Sequence, residues 1–169
     1  LPSKSCADTG RSFPRSILRL CAMTSTTSWT RRSDMAQGVL DTSTLILLGR
    51  IKDVTSLPSD PTITAITLAE LSVGPLVATT DQERAARQAH LQQAEADFDP
   101  LPFDAAAART FGQVAASLRR AGRKTSARTY DAMIAAVCVA NGLPVHTCNP
   151  DDFAEIDGLV VVAVPHPDH

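Results

Sequence analysis

TYDAMIAAVCVANGLPVHTCNPDDF, residues 129–153, is the stretch from which the fold can be read. Residues 129–140 read as a helix. Ile134, Ala135 and Cys138 follow Asp131 at three, four and seven positions, so the acid shares their apolar face. Asn141-Gly142 is a helix stop, because glycine takes the left-handed conformation that closes a helix without a Cβ penalty. Residues 144–148 then read as a short β-branched strand, and Asn149-Pro150 opens a further turn of helix. A strand entered from one helix and left into another belongs to a parallel sheet covered on both faces.

The same alternation extends outward. Val39 and Leu40 form a short apolar strand running into Asp41, followed by a helix over 44–50. Pro58, Asp60 and Pro61 mark a loop before a second strand over 63–66 and a helix over 68–78. A long polar helix is expected over 81–96 and a short extended piece, broken by two prolines, over 98–103. Asp104 caps a helix whose apolar positions Phe111, Val114, Ala115 and Leu118 repeat at helical spacing. A last β-branched strand is expected over 159–164.

The chain has 169 residues, 44% of them hydrophobic and 20% charged, which suits one domain with a core and excludes wholesale disorder. No apolar run approaches the length of a membrane span, and the opening segment lacks the apolar stretch of a signal peptide, so no membrane role is expected. Four cysteines without CxxC spacing exclude a zinc ribbon or disulfide scaffold and point to a reducing cytoplasm. The net charge of −2 conceals an asymmetry: residues 1–34 hold six Lys/Arg against two Asp, and the remainder holds 10 against 16 acids. Two units follow. Residues 1–34 read as a basic, poorly ordered N-terminal extension, and residues 35–169 as the folded domain. Bulk charge would not bind nucleic acid to this acidic domain, so such binding must be local.

Four acidic positions carry the candidate chemistry, and each has a structural explanation of its own. Asp41, in VLDTST, is a fitting N-cap, with Thr42 and Ser43 beside it. Thr67 and Glu70, in TLAEL, have the spacing of a capping box. Asp131 suits the positive end of a helix dipole, yet its place on an apolar face calls for a cation or donor. In CNPDDF, Asn149 can cap and Asp152 stands three residues on. What the separate explanations omit is a common location. All four are expected after a strand and at a helix start, places that converge at the carboxyl ends of a parallel sheet. Carboxylates gathered there repel unless a hard divalent cation neutralises them. Such ions bind phosphates and activate water, so the pattern suggests metal-assisted phosphoryl chemistry.

On these motifs the sequence resembles the PIN-domain ribonucleases of the VapC type, the toxins of bacterial toxin–antitoxin pairs. VLDTST, TLAEL, YDAMIAA, GLPVHTCNPDDF and GLVVV arrive in the family's order between Val39 and Val164. The resemblance implies a three-layer α/β/α sandwich around a central, mainly parallel sheet, and an acidic site for Mg²⁺ or Mn²⁺. Carried over by position, Asp41 and Asp131 match the acids that hold the metal, and Glu70 matches the acid that completes the site. Ser43 and Thr147 match supporting hydroxyl positions. The family's usual fourth aspartate aligns with Asn149, which brings no charge, and Asp152 is expected to serve in its place. The implied mechanism has a metal held by Asp41 and Asp131 gripping the scissile phosphate while Glu70 and Asp152 orient an attacking water. The products would carry 5′-phosphate and 3′-hydroxyl ends. The resemblance further implies homodimers and a cognate antitoxin that covers a hydrophobic groove; Leu45, Ile46, Leu48, Leu68, Leu71 and Val77 offer apolar surface.

Two readings from different classes follow: a Mg²⁺-dependent endoribonuclease toxin, and a catalytically weak or inactive PIN-like protein-interaction module, for which Asn149 speaks. An aspartyl-nucleophile phosphatase is weakened by Thr42-Ser43, which leaves no second aspartate two residues after Asp41. Arg119, Arg120, Arg123, Lys124 and Arg128 crowd ten positions without an acid, read either as a solvated helix end or as a phosphate track toward Asp131. If they track RNA, neutralising them should flatten the dependence of RNA retention on salt; an unchanged slope would exclude the track.

Overall fold

The computed structural model describes residues 37–123 and 128–168. The basic segment 1–34, Lys124 and His169 lie outside the described residues. Four parallel strands form one sheet in the order β2-β1-β3-β4, from β1 (Gln37–Leu40), β2 (Asp60–Thr62), β3 (Val145–Thr147) and β4 (Val161–Ala163). Among the described residues five α-helices cover it: α1 (Thr42–Leu47), α2 (Ala65–Leu76), α3 (Asp81–Asp97), α4 (Ala105–Arg120) and α5 (Thr129–Asn141). Among the described residues no helix is long and apolar enough to cross a membrane.

The pleat sorts the core into two layers. Adjacent residues on β1 point to opposite faces. Val39 packs with Val145, with Val114 and Leu118 of α4, and with the apolar face of α5. Leu40 packs instead with Ile63, Leu71 of α2 and Ala94 of α3. Both β1 residues are fully buried, so the sheet is the middle layer of an α/β/α sandwich, as expected. The ends of α5 are also as read from the sequence: the helix closes at Gly142, whose φ of 65° is left-handed.

Three elements differ from expectation. The second strand occupies Asp60–Thr62, not 63–66. It is an edge strand, where Pro61 can sit without breaking a ladder. Thr64 then caps α2 by accepting from the Thr67 amide at 3.1 Å, so Ile66 already lies in the first helical turn. Buried Ile63 between strand and cap is what imitates a longer strand. Thr64, not Thr67, is therefore the cap, and Glu70 lies in the second turn of α2 with no part in a capping box. The helix after Asp41 starts at Thr42 and tightens into a 3-10 turn at Leu48–Arg50, where Gly49 disfavours further α-helix.

One close approach locks the sheet centre. His146 on β3 is buried, donates from Nδ1 to the Ser56 carbonyl at 2.8 Å, and stays neutral because burial lowers its pKa. Its ring fills the space beside Gly38 on β1, where a Cβ would come within 2.6 Å of Nε2. Gly38→Ala should therefore destabilise the protein by about 1–3 kcal/mol through overpacking. Urea unfolding measures this, and an unchanged midpoint would show that the ring can move aside.

Candidate active site

Asp41 leaves β1 as the N-cap of α1, and its carboxylate is saturated with donors. The Thr44 amide reaches Oδ1 at 2.8 Å, and the Ser43 and Thr147 hydroxyls reach Oδ2 at 2.8 and 2.9 Å. Only 5% of Asp41 is exposed, so these bonds offset the cost of burying its charge. Thr147 enters from the neighbouring strand β3, and its own oxygen accepts the Asn149 amide at 2.9 Å. Ser43, Thr147 and Asn149 thus act as a positioning set around one acid, with Asn149 contributing its backbone. The Asn149 side chain makes no cap.

The other acids arrive from different elements. Glu70 projects from the second turn of α2 and accepts a short hydrogen bond from the Thr42 hydroxyl. Asp131 sits in the first turn of α5. Asp152 ends the 3-10 turn Pro150–Asp152 that follows β3, and pairs with Arg128 at 3.2 Å. Of the four, Asp41 follows β1 directly and Asp152 closes the 3-10 turn after β3. Glu70 stands inside a helix, and Asp131 follows the connection from α4, so the expected common location holds only in part.

Electrostatics nevertheless ties the four together. Asp131 has its pKa pushed up to about 6, first by burial and then by the charges of Asp152, Glu70 and Asp41, with Arg128 acting against them. Burial also raises Glu70, opposed by the Thr42 hydrogen bond and aided by Asp41. Among the described residues no three His, Cys, Asp or Glu side chains stand gathered as a ready-made metal cage; Thr42 holds Glu70 and Arg128 holds Asp152. The carboxylates share a field, not a cage. The donor set still suits a hard ion, because its members are carboxylate oxygens and the acids acting on Asp131 outnumber the one opposing guanidinium, Arg128. The nearby thiols do not compete: burial pushes Cys138 up to about 12 and raises Cys148.

Residues 38–159 match the family model of the PIN domain, a span that includes all four acids. The chain belongs to the PIN-domain family. Within that family it is similar to Ribonuclease VapC5 of Mycobacterium tuberculosis (strain ATCC 25618 / H37Rv), with 43% identity over 131 residues, 76% of this chain and 94% of the relative. Ribonuclease VapC1 of Rickettsia felis (strain ATCC VR-1525 / URRWXCal2) is 29% identical over 133 residues, 77% of this chain and 98% of the relative. The crystal structure of VapBC-5 from Mycobacterium tuberculosis, a member of the VapBC family of toxin-antitoxin systems, superposes with a TM-score of 0.68 at 40% identity, covering 76% of this chain and 99% of that one. The VapC-type resemblance read from the motifs is thereby established.

Two site residues of this PIN domain were not singled out by sequence reasoning. Thr42 was read only as a helper at the helix cap, whereas its hydroxyl holds Glu70 across 28 positions. Thr44 is fully buried: its amide binds Asp41, and its hydroxyl accepts the Cys148 amide at 3.0 Å, clamping α1 to the end of β3. The available signal was the run of three hydroxyls after Asp41. Beside Asp131 on α5, Tyr130 is 54% exposed, while Met133 packs against the core. The basic cluster divides. Arg119 is exposed in the last turn of α4, Arg120 pairs with Asp157, and Arg123 and Arg128 both donate to the Asp151 carbonyl, at 2.5 and 2.9 Å.

A raised carboxyl pKa means that the folded state holds its proton to higher pH than the unfolded chain. Stability should therefore fall as pH rises from about 4 to about 6, where the folded Asp131 ionises. Asp131→Asn should stabilise the cation-free protein at pH 7.5 by about 1 kcal/mol after allowance for solvent screening. That gain should vanish near pH 4. Thermal melts in EDTA across this range test the sign, and a loss of stability at pH 7.5 would contradict it.

Proposed function

We propose that this chain is a metal-dependent endoribonuclease and the toxin of a toxin–antitoxin pair. The observation that carries the reading is the mutual repulsion of Asp41, Glu70, Asp131 and Asp152, felt at Asp131, inside a fold whose similar proteins include two named ribonucleases. Asp41 and Asp131 are the residues that would hold Mg²⁺ or Mn²⁺. Bound there, the ion supplies neutralising charge for a phosphodiester and a lowered pKa for water. Asp41 is kept oriented by Thr44, Ser43 and Thr147, so it contributes a fixed negative charge with no reorganisation during reaction. Glu70 and Asp152, whose charges both act on Asp131, would orient an attacking water. Glu70 is suited to take its proton, because burial raises its proton affinity. No serine or histidine nucleophile is required, and the products would carry 5′-phosphate and 3′-hydroxyl ends.

The partner reading rests on the opposite layer. A groove of about 310 Å³ lies between α1, α2 and α3, lined by Leu45, Leu48, Leu57, Leu71 and Phe98. Ile46 remains 44% exposed at its rim. Such a surface suits the apolar face of an antitoxin helix, and the similar VapBC-5 structure is that of a member of the VapBC family of toxin-antitoxin systems. Val73, Leu76 and Val77 at the end of α2 are exposed apolar residues available to a second copy in a homodimer.

Asp41→Asn and Asp131→Asn should each lower metal-dependent RNA cleavage by about 100-fold or more, with melting curves still cooperative. EDTA should remove activity, and added Mg²⁺ or Mn²⁺ should restore it. Sequencing of the cut ends reads the chemistry. A folded Asp131→Asn protein that cleaves RNA at the full rate would refute the site, and an intact protein inert with either metal would favour the interaction-module reading.

A further inference from the structure

Asp152 stands between two opposing influences. Its carboxylate is one of the charges that repel Asp131, and its Oδ1 pairs with Nη1 of Arg128 at 3.2 Å. Arg128 is the N-cap residue of α5, three positions before Asp131, and the same Nη1 also donates to the Asp151 carbonyl at 2.9 Å. Side chains of both partners are about one-third exposed, 33% and 36%, so the pair is only partly screened by water. Arg123 grips the same carbonyl from the end of α4, but meets main chain and not a carboxylate. The turn carrying the fourth acid is thus held by two guanidinium groups, and one of them neutralises that acid.

We infer that Arg128 is the internal counter-ion of the fourth acid and competes with the divalent cation for Asp152. The inference rests on the metal reading proposed above. Without a cation, Asp152 faces repulsion from Asp131 and attraction from Arg128, and the ion pair holds it. A dication at Asp41 and Asp131 would cancel the charge of those two acids and offer Asp152 a second cation, so the repulsion that favours the Arg128 pair would fall away. Arg128 then loses its carboxylate partner but keeps the Asp151 carbonyl. Its remaining donors become available to an anion, for which a phosphate of the RNA backbone has the matching charge and geometry. Arg128 is therefore a positioning residue: it sets how much of the fourth carboxylate the metal site commands.

The test is a double-mutant cycle on the full chain, read by the electron paramagnetic resonance signal of unbound Mn²⁺, with no substrate present. Arg128→Gln, which keeps a side-chain amide near the Asp151 carbonyl, and Arg128→Ala should each tighten Mn²⁺ binding by roughly 3- to 10-fold. Asp152→Asn should weaken it. In the Asp152→Asn background, the Arg128 substitutions should change the dissociation constant by less than about 2-fold, because the contested carboxylate is gone. Arg123→Ala should leave Mn²⁺ binding within about 2-fold in either background. Equal tightening in both backgrounds would reduce Arg128 to a general positive field and overturn the competition, as would no tightening at all. Those results would leave the metal reading standing. An unaltered protein that binds no Mn²⁺ would bring down both.

Discussion

Asp41 is the junction on which the structure turns. A carboxylate this deeply buried is tolerated because α1 gives it an amide, Ser43 a hydroxyl, and β3 a second hydroxyl through Thr147. The same bonds fasten β1 to β3 at the end of the sheet, reinforced by the Asp41 amide donating to the His146 carbonyl at 3.2 Å. Asp41 therefore serves two ends at once. It caps a helix, and it presents a pre-oriented negative charge at the mouth of the sheet.

Around that anchor the remaining acids are held apart by local partners. Thr42 restrains Glu70 and Arg128 restrains Asp152, while at Asp131 burial and the neighbouring acids outweigh the charge of Arg128 and raise its pKa. The fold thus concentrates negative charge without collapsing it into a cage. On the proposed metal reading, a bound cation would relieve this repulsion, and the contacts of Thr42 and Arg128 would set how far Glu70 and Asp152 share in it.

The two layers divide the work. On the α4–α5 side, apolar packing around Val39, Val145 and Phe153 fixes the helix that carries Asp131. On the α1–α3 side, the packing around Leu40 and Leu71 leaves a groove open to a partner. Leu40 lines that groove and is followed directly by Asp41, so the groove and the first acid adjoin along the chain.

Much of this was legible in the residues alone. The helix stop at Asn141-Gly142, the cap at Asp104, the polar α3 and the parallel alternation follow from local rules of capping, glycine conformation and hydrophobic period, and the motif order identified the family. Local rules misjudged the segment around Ile63, where an isolated buried residue imitates a strand and the true cap is Thr64. They also offered no view of Thr42 holding Glu70, of the His146 ring against Gly38, or of Arg128 paired with Asp152. Those contacts join residues 24 to 108 positions apart, and the pairing of distant side chains is decided by how helices and strands pack, not by any pattern along one element.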